Sequence, residues 1–97
     1  MVYMLVKHKV NDFSKWKQEF DDYGSIRKKT GSKGGMFFRT LDDPDKVVIL
    51  FDWDNPENAR KLIESKELKE KNKELVESGI ISYPEIFLLD KMEDVQF

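Results

Sequence analysis

With 97 residues and no cysteine, the chain has room for one domain and none for disulfides, thiolate nucleophiles or cysteine-rich metal sites. Charged residues make up 37% of it but the net charge is only -2, so both signs mix over a solvated surface and no basic block tracks nucleic-acid phosphates. No run approaches the roughly 20 apolar residues of a bilayer span, and Met1 to His8 lacks a signal peptide's apolar core and cleavage site, so a cytoplasmic protein is expected, with neither nucleic-acid nor membrane partners.

In chain order, Val2, Met4, Val6, His8 and Val10 alternate with Tyr3, Leu5, Lys7 and Lys9, which predicts a strand. Asn11 and Asp12 then offer side-chain oxygens to the first free N–H groups of a helix. Phe13, Trp16, Phe20, Tyr23 and then Ile26 or Arg27 recur every three or four residues along that helix, which should end near Gly31. Thr30 to Gly35 reads as a flexible link, and Met36 to Leu41 as the second strand. Asp42 to Asp45, with Pro44 lacking a ladder donor, is a turn that returns the chain as a third strand, Lys46 to Trp53.

Asn55, Pro56 and Glu57 mark a second helix start: a cap, a proline at the first helical position, and an acid at the positive end. Ala59, Leu62 and Ile63 form one apolar stripe, whereas Leu68, Asn72, Leu75 and Val76 form another. That change predicts a break near Glu64 and Ser65, with Gly79 closing the second piece. Ser82 to Lys91 is the last strand, and residues 92–97 form a tail after a core spanning about 2–90. The order β-α-β-β-α-β is that of a ferredoxin-like α+β sandwich, an antiparallel sheet with its helices on one face, over a single domain, 1–97.

Three of the four strands carry large apolar side chains on both faces, most clearly Val47 to Phe51, then Met36 to Phe38 and Ile86 to Leu89. A sheet wet on one side should alternate apolar with polar, and two helices can cover only one side. The missing cover is expected from a second copy of the chain, which makes a homodimer through the sheet faces.

The runs Val6 to Lys17, Arg27 to Gly35, Phe38 to Asp45 and Val48 to Trp53 resemble the small dimeric α+β-barrel proteins labelled antibiotic-biosynthesis-monooxygenase-like or cyclase-like. The resemblance spans Val2 to about Asp90. It implies two protomers with facing sheets and outer helices, and a ligand cavity between a protomer's own sheet and helices. It implies no single activity, because that superfamily mixes cofactor-free monooxygenases, haem degraders, isomerases and members with no assigned reaction. The haem-degrading branch carries an iron-ligating histidine about ten residues beyond a tryptophan of its second helix. This chain has Leu62 and Asn72 there and no histidine, so haem degradation is not expected and no cofactor is anticipated.

His8 is the only histidine, on the same strand face as Met4 and Val6. It reads either as a general base or as a core histidine satisfied by a neighbour. Trp16 and Phe20 on the first helix, with Phe38, Phe51 and Trp53 from the sheet, are candidates for an aromatic pocket wall, although such a stripe also makes an ordinary core. Tyr23 and Arg27, one helical turn apart, can add a phenol and a positive charge to it, and Arg27 can equally be a surface cation. The position of Tyr23 can carry a histidine in proteins the chain resembles, and this chain departs from them there. Tyr83, ahead of Pro84, closes either the pocket or the dimer edge. One histidine and scattered carboxylates give no metal-ligand spacing. Two readings follow: a cofactor-independent monooxygenase-like, isomerase-like or cyclase-like enzyme acting on a small aromatic or polyketide-like molecule, or a non-catalytic dimer that binds a small hydrophobic ligand or serves as a scaffold. An open cavity reaching His8 and Tyr23 favours enzyme or binder; a filled interior favours scaffold.

Overall fold

Alternation along the strands decides which side of the sheet the helices cover. The computed structural model describes residues 2–96 and runs β1 (Val2–Lys9), α1 (Phe13–Asp22), α2 (Gly24–Thr30), β2 (Ser32–Arg39), β3 (Lys46–Trp53), α3 (Pro56–Glu64), α4 (Lys66–Glu77) and β4 (Glu85–Asp90). The ends of the expected domain, Met1 and Phe97, lie outside the described residues. The strands form one antiparallel sheet in the order β2-β3-β1-β4, the ferredoxin-like α+β topology.

Register puts Met4 opposite Phe51, Val6 opposite Ile49 and His8 opposite Val47, so these residues share one face. That face is the core: Met4, His8, Val47, Ile49 and Trp53 are all buried, together with Trp16 of α1, Leu62 of α3 and Leu75 of α4. The opposite face carries Leu5, Met36, Phe38, Leu50, Phe87 and Leu89, with no helix over it. Met36 is 59% exposed and Phe38 49%.

The first helix is broken where one continuous helix was expected. Asp12 caps α1 by accepting from the Lys15 N–H at 3.2 Å, but α1 ends at Asp22 and α2 restarts at Gly24. Glycine weakens a helix interior by about 1 kcal/mol relative to alanine, which makes this the natural place for the offset. The Arg27 N–H still reaches the Tyr23 carbonyl at 3.1 Å, so the two residues stay one turn apart. The second predicted break is present: Ser65 ends α3 by donating from its hydroxyl to the Leu62 carbonyl at 2.6 Å, and caps α4 by accepting from the Leu68 N–H at 3.3 Å.

The second strand begins earlier than its sequence suggests. Gly34 and Gly35 lie inside β2, not in a link before it, and Thr40 and Leu41 lie beyond its end. A bulge between Ser32 and Gly34 accommodates the positive φ of Gly34, and any Cβ on Gly35 would collide with the Leu50 carbonyl oxygen. The glycines therefore serve strand pairing. The last strand is shorter than expected: Ile81 makes an isolated bridge to Val10, Ser82 accepts the Lys9 N–H at 2.8 Å through its hydroxyl, and β4 starts only after Pro84. Residues 91–96 form no helix or strand.

Candidate functional site

Between the helix-covered sheet face and the helices lies a cavity of about 110 Å³, partly open to solvent. Met4, Val6 and His8 form its floor because even positions of β1 face inward. Trp16, Phe20, Tyr23 and Arg27 reach it from α1 and α2 at intervals of three or four residues, and Leu68, Asn72 and Leu75 do so from α4. Ile49, Phe51 and Trp53 complete it from β3.

The aromatic wall is continuous. His8 meets Trp16 edge-on with ring centroids 5.7 Å apart, Trp16 lies 5.0 Å from Phe20, Phe20 stacks on Phe51 at 6.1 Å, and Phe51 meets Trp53 edge-on at 6.2 Å. Trp53 is also structural, since its indole N–H donates to the Thr30 carbonyl at 3.1 Å and ties β3 to the end of α2.

His8, Tyr23 and Arg27, the polar residues singled out from sequence, all line this cavity. Burial lowers the pKa of His8, so its imidazole is neutral at pH 7. Its Nδ1 lies 3.4 Å from the Lys9 carbonyl, an oxygen that can only accept, which favours a proton on Nδ1 and a free lone pair on Nε2. The Tyr23 hydroxyl is buried and has no hydrogen-bond partner among the described residues. Desolvation, then the charge of Glu67, raises its pKa, so it keeps its proton. The Arg27 guanidinium sits 4.0 Å from the Phe20 ring and 5.3 Å from that of Phe51.

Most of the side chains proposed from sequence meet here, and two do not. Phe38 pairs with Val48 on the open face, and its neighbour Phe37 turns inward to pack 5.8 Å from Trp16 and 5.9 Å from Phe20. Both residues are phenylalanine, so composition carried no information about the phase of β2. Tyr83 is 64% exposed ahead of β4, and Pro84 reaches the cavity in its place. Sequence reasoning missed Glu19 and Lys71, which line the cavity and form an ion pair at 2.5 Å between α1 and α4. Their signal was available: Glu19 falls between Trp16 and Tyr23 on the same stripe, and Lys71 with Asn72 follows Leu68 by three and four positions. Among the described residues no group of three or more His, Cys, Asp or Glu could hold a metal ion, and no helix is long and apolar enough to cross a membrane.

No protein-family model matches this chain. No curated protein sequence matches it either. Solved structures do match it. A candidate antibiotic biosynthesis monooxygenase from Deinococcus radiodurans superposes with a TM-score of 0.75 at 14% identity, over 100% of this chain and 98% of that one. SnoaB, a cofactor-independent oxygenase from Streptomyces nogalater, gives 0.76 at 12% identity, over 97% and 95%. A conserved protein from Methanosarcina mazei Go1 gives 0.61 at 20% identity, over 93% and 91%. At such identities the likeness establishes the fold: the chain is built like the antibiotic biosynthesis monooxygenases over nearly its whole length.

Proposed function

We propose that this protein is a cofactor-independent monooxygenase-like enzyme acting on a small aromatic or polyketide-like carbon acid. The observation that carries the reading is the unpartnered, buried Tyr23 hydroxyl in the same cavity as a neutral His8. Leaving a buried hydroxyl without a partner costs about 1–3 kcal/mol, a cost that a ligand oxygen would remove.

In the proposed reaction His8 Nε2 takes a proton from an acidic C–H of the substrate. The Tyr23 hydroxyl donates to the oxygen on which the negative charge develops. The resulting enolate, held among Trp16, Phe20 and Phe51, gives its electrons to O2 and forms a carbon–oxygen bond. Protonation of the peroxide and loss of water convert the original CH2 into C=O, so one O2 is consumed and one H2O released. An apolar cavity of about 150 Å³ holds benzene, so the 110 Å³ here is on the scale of one ring. That scale favours a single ring, with any larger body extending beyond the cavity.

The open sheet face supports the second part of the proposal, a homodimer docked through Met36, Phe38, Phe87 and Leu89. Native mass spectrometry of freshly purified protein should show the dimer and any retained ligand together. Oxygen consumption with a panel of enolisable aromatic ketones tests the chemistry, and His8→Ala should lower turnover of any accepted substrate by roughly 10²–10⁴-fold while the protein stays folded. Undiminished turnover in that variant removes His8 as the base. Retained ligand with no turnover of any compound moves the assignment to a small-ligand-binding module with the same site.

A further inference from the structure

Among the described residues Arg27 finds no protein acceptor. Its side chain forms no ion pair or hydrogen bond although it is half-buried, and Asp21, whose charge acts on it from a distance, is itself paired with Lys17. A guanidinium presents five donors in a planar fork, and one withdrawn from water without a carboxylate or carbonyl is uncommon. Stacking on Phe20 satisfies the face of the group, not its N–H edges. The edges are accessible: a Cβ built on Gly24 would stand 3.5 Å from Nη2, so the glycine leaves that nitrogen uncovered.

Arg27 also lines a second, larger cavity of about 430 Å³ between α2 and the edge strand β2. Phe20, Ile49 and Phe51 line both cavities with it, so the partition between them is one layer of side chains. Lys28 and Lys33 face the outer cavity, no Asp or Glu does, and Met36 and Phe37 give it apolar wall. The inner cavity's one acid, Glu19, is already paired with Lys71. Positive charge is therefore concentrated on one side of an apolar partition, with no acid among the residues that line it there.

From this arrangement we infer that the ligand is an organic carboxylate, its apolar body held by the aromatic walls of the inner cavity and its carboxylate anchored by Arg27, which lines both cavities, with Lys28 and Lys33 adding attraction across the partition. The inference rests on the reading of the inner cavity as a substrate site and assigns Arg27 a ground-state binding role, distinct from proton transfer at His8. A fork that meets two carboxylate oxygens at once gives direction as well as charge, which a lysine at position 27 would supply only in part.

The test compares 4-phenylbutyrate with 4-phenylbutanamide, which has the same ring and chain without the charge, by titration calorimetry at low ionic strength. The acid is expected to bind at least about tenfold more tightly than the amide, with the ratio shrinking as salt is added. Arg27→Gln should bring the ratio to about one and Arg27→Lys should restore part of it. Lys28→Gln combined with Lys33→Gln, both at exposed positions that leave the fold intact, should lower the ratio a few-fold. Equal affinity for acid and amide, no binding of either, or a ratio unchanged in both the Arg27→Gln and the double-lysine variants overturns the proposal. Because turnover plays no part in this measurement, a preference for the acid with an inactive protein sinks only the enzymatic reading, and an active protein indifferent to the charge sinks only the anchor.

Discussion

The two faces of the sheet are built from the same strands and reach opposite ends. Val47, Ile49, Phe51 and Trp53 of β3 are buried under helices, whereas Val48 and Leu50 between them are only partly covered, beside exposed Met36 and Phe38. Burying an apolar side chain contributes about 1.5–3 kcal/mol, so the helix-covered face supplies the folding energy that one protomer has. The open face contributes little to a lone chain and would contribute fully only against another surface. Apolar residues on both faces thus exceed what folding of one protomer demands, and the proposed dimer would give the second face its use.

Changes on either face separate those demands. Trp53→Ala should have the largest effect, about 3–5 kcal/mol of lost stability by urea denaturation, since it removes a buried ring and leaves the Thr30 carbonyl without its donor. Phe38→Asp should leave the protomer folded but weaken the proposed dimer by at least about 2 kcal/mol, a roughly 30-fold rise in its dissociation constant by sedimentation. A monomeric wild type, or a variant that dimerises unchanged, would mean the open face is not the contact.

Gly31→Ala probes the rim where α2 turns into β2. Gly31 has a φ of 119°, and a Cβ there would run into the Asp54 carboxylate, so a loss of about 1–3 kcal/mol is expected in thermal or urea unfolding.

A smaller effect, with a definite sign, concerns His8. Its folded pKa lies below the unfolded value of about 6.5, so both states are neutral above that pH. As pH falls through 6.5 the unfolded chain binds a proton that the native protein refuses, and stability must decline until the folded pKa is reached. Urea midpoints followed from about pH 8 to about pH 5 should fall more steeply in wild type than in His8→Gln, and parallel curves would mean the imidazole titrates as if exposed. The smallest change belongs to the solvated side of α1, where Lys17→Ala, breaking an exposed pair at 2.6 Å, should cost only about 0.3–0.5 kcal/mol.

Much of the fold could be read before any coordinates, because its signals are local. Asp12, Asn55 and Ser65 cap the helices that follow them through their own side-chain oxygens, and the change of stripe between Ile63 and Leu68 located the second helix break. The candidate site was legible where a polar residue interrupted an apolar face, as at His8, Tyr23 and Arg27. It was illegible where neighbours were chemically alike. Phe37 and Phe38 are interchangeable in sequence, and the bulge at Ser32 and Gly34, not composition, decides which turns inward.

The sequence by itself determined the order of elements, the capped ends and the presence of apolar residues on both strand faces, all of which depend on residues within a turn or two of one another. Only the tertiary structure decided that, among the described residues, the Tyr23 hydroxyl has no partner, that Glu19 forms an ion pair with Lys71 while Arg27 forms none, and that Pro84 rather than Tyr83 reaches the cavity. Whether a buried polar group is satisfied depends on what distant segments bring within about 3 Å of it, and local periodicity carries no record of that.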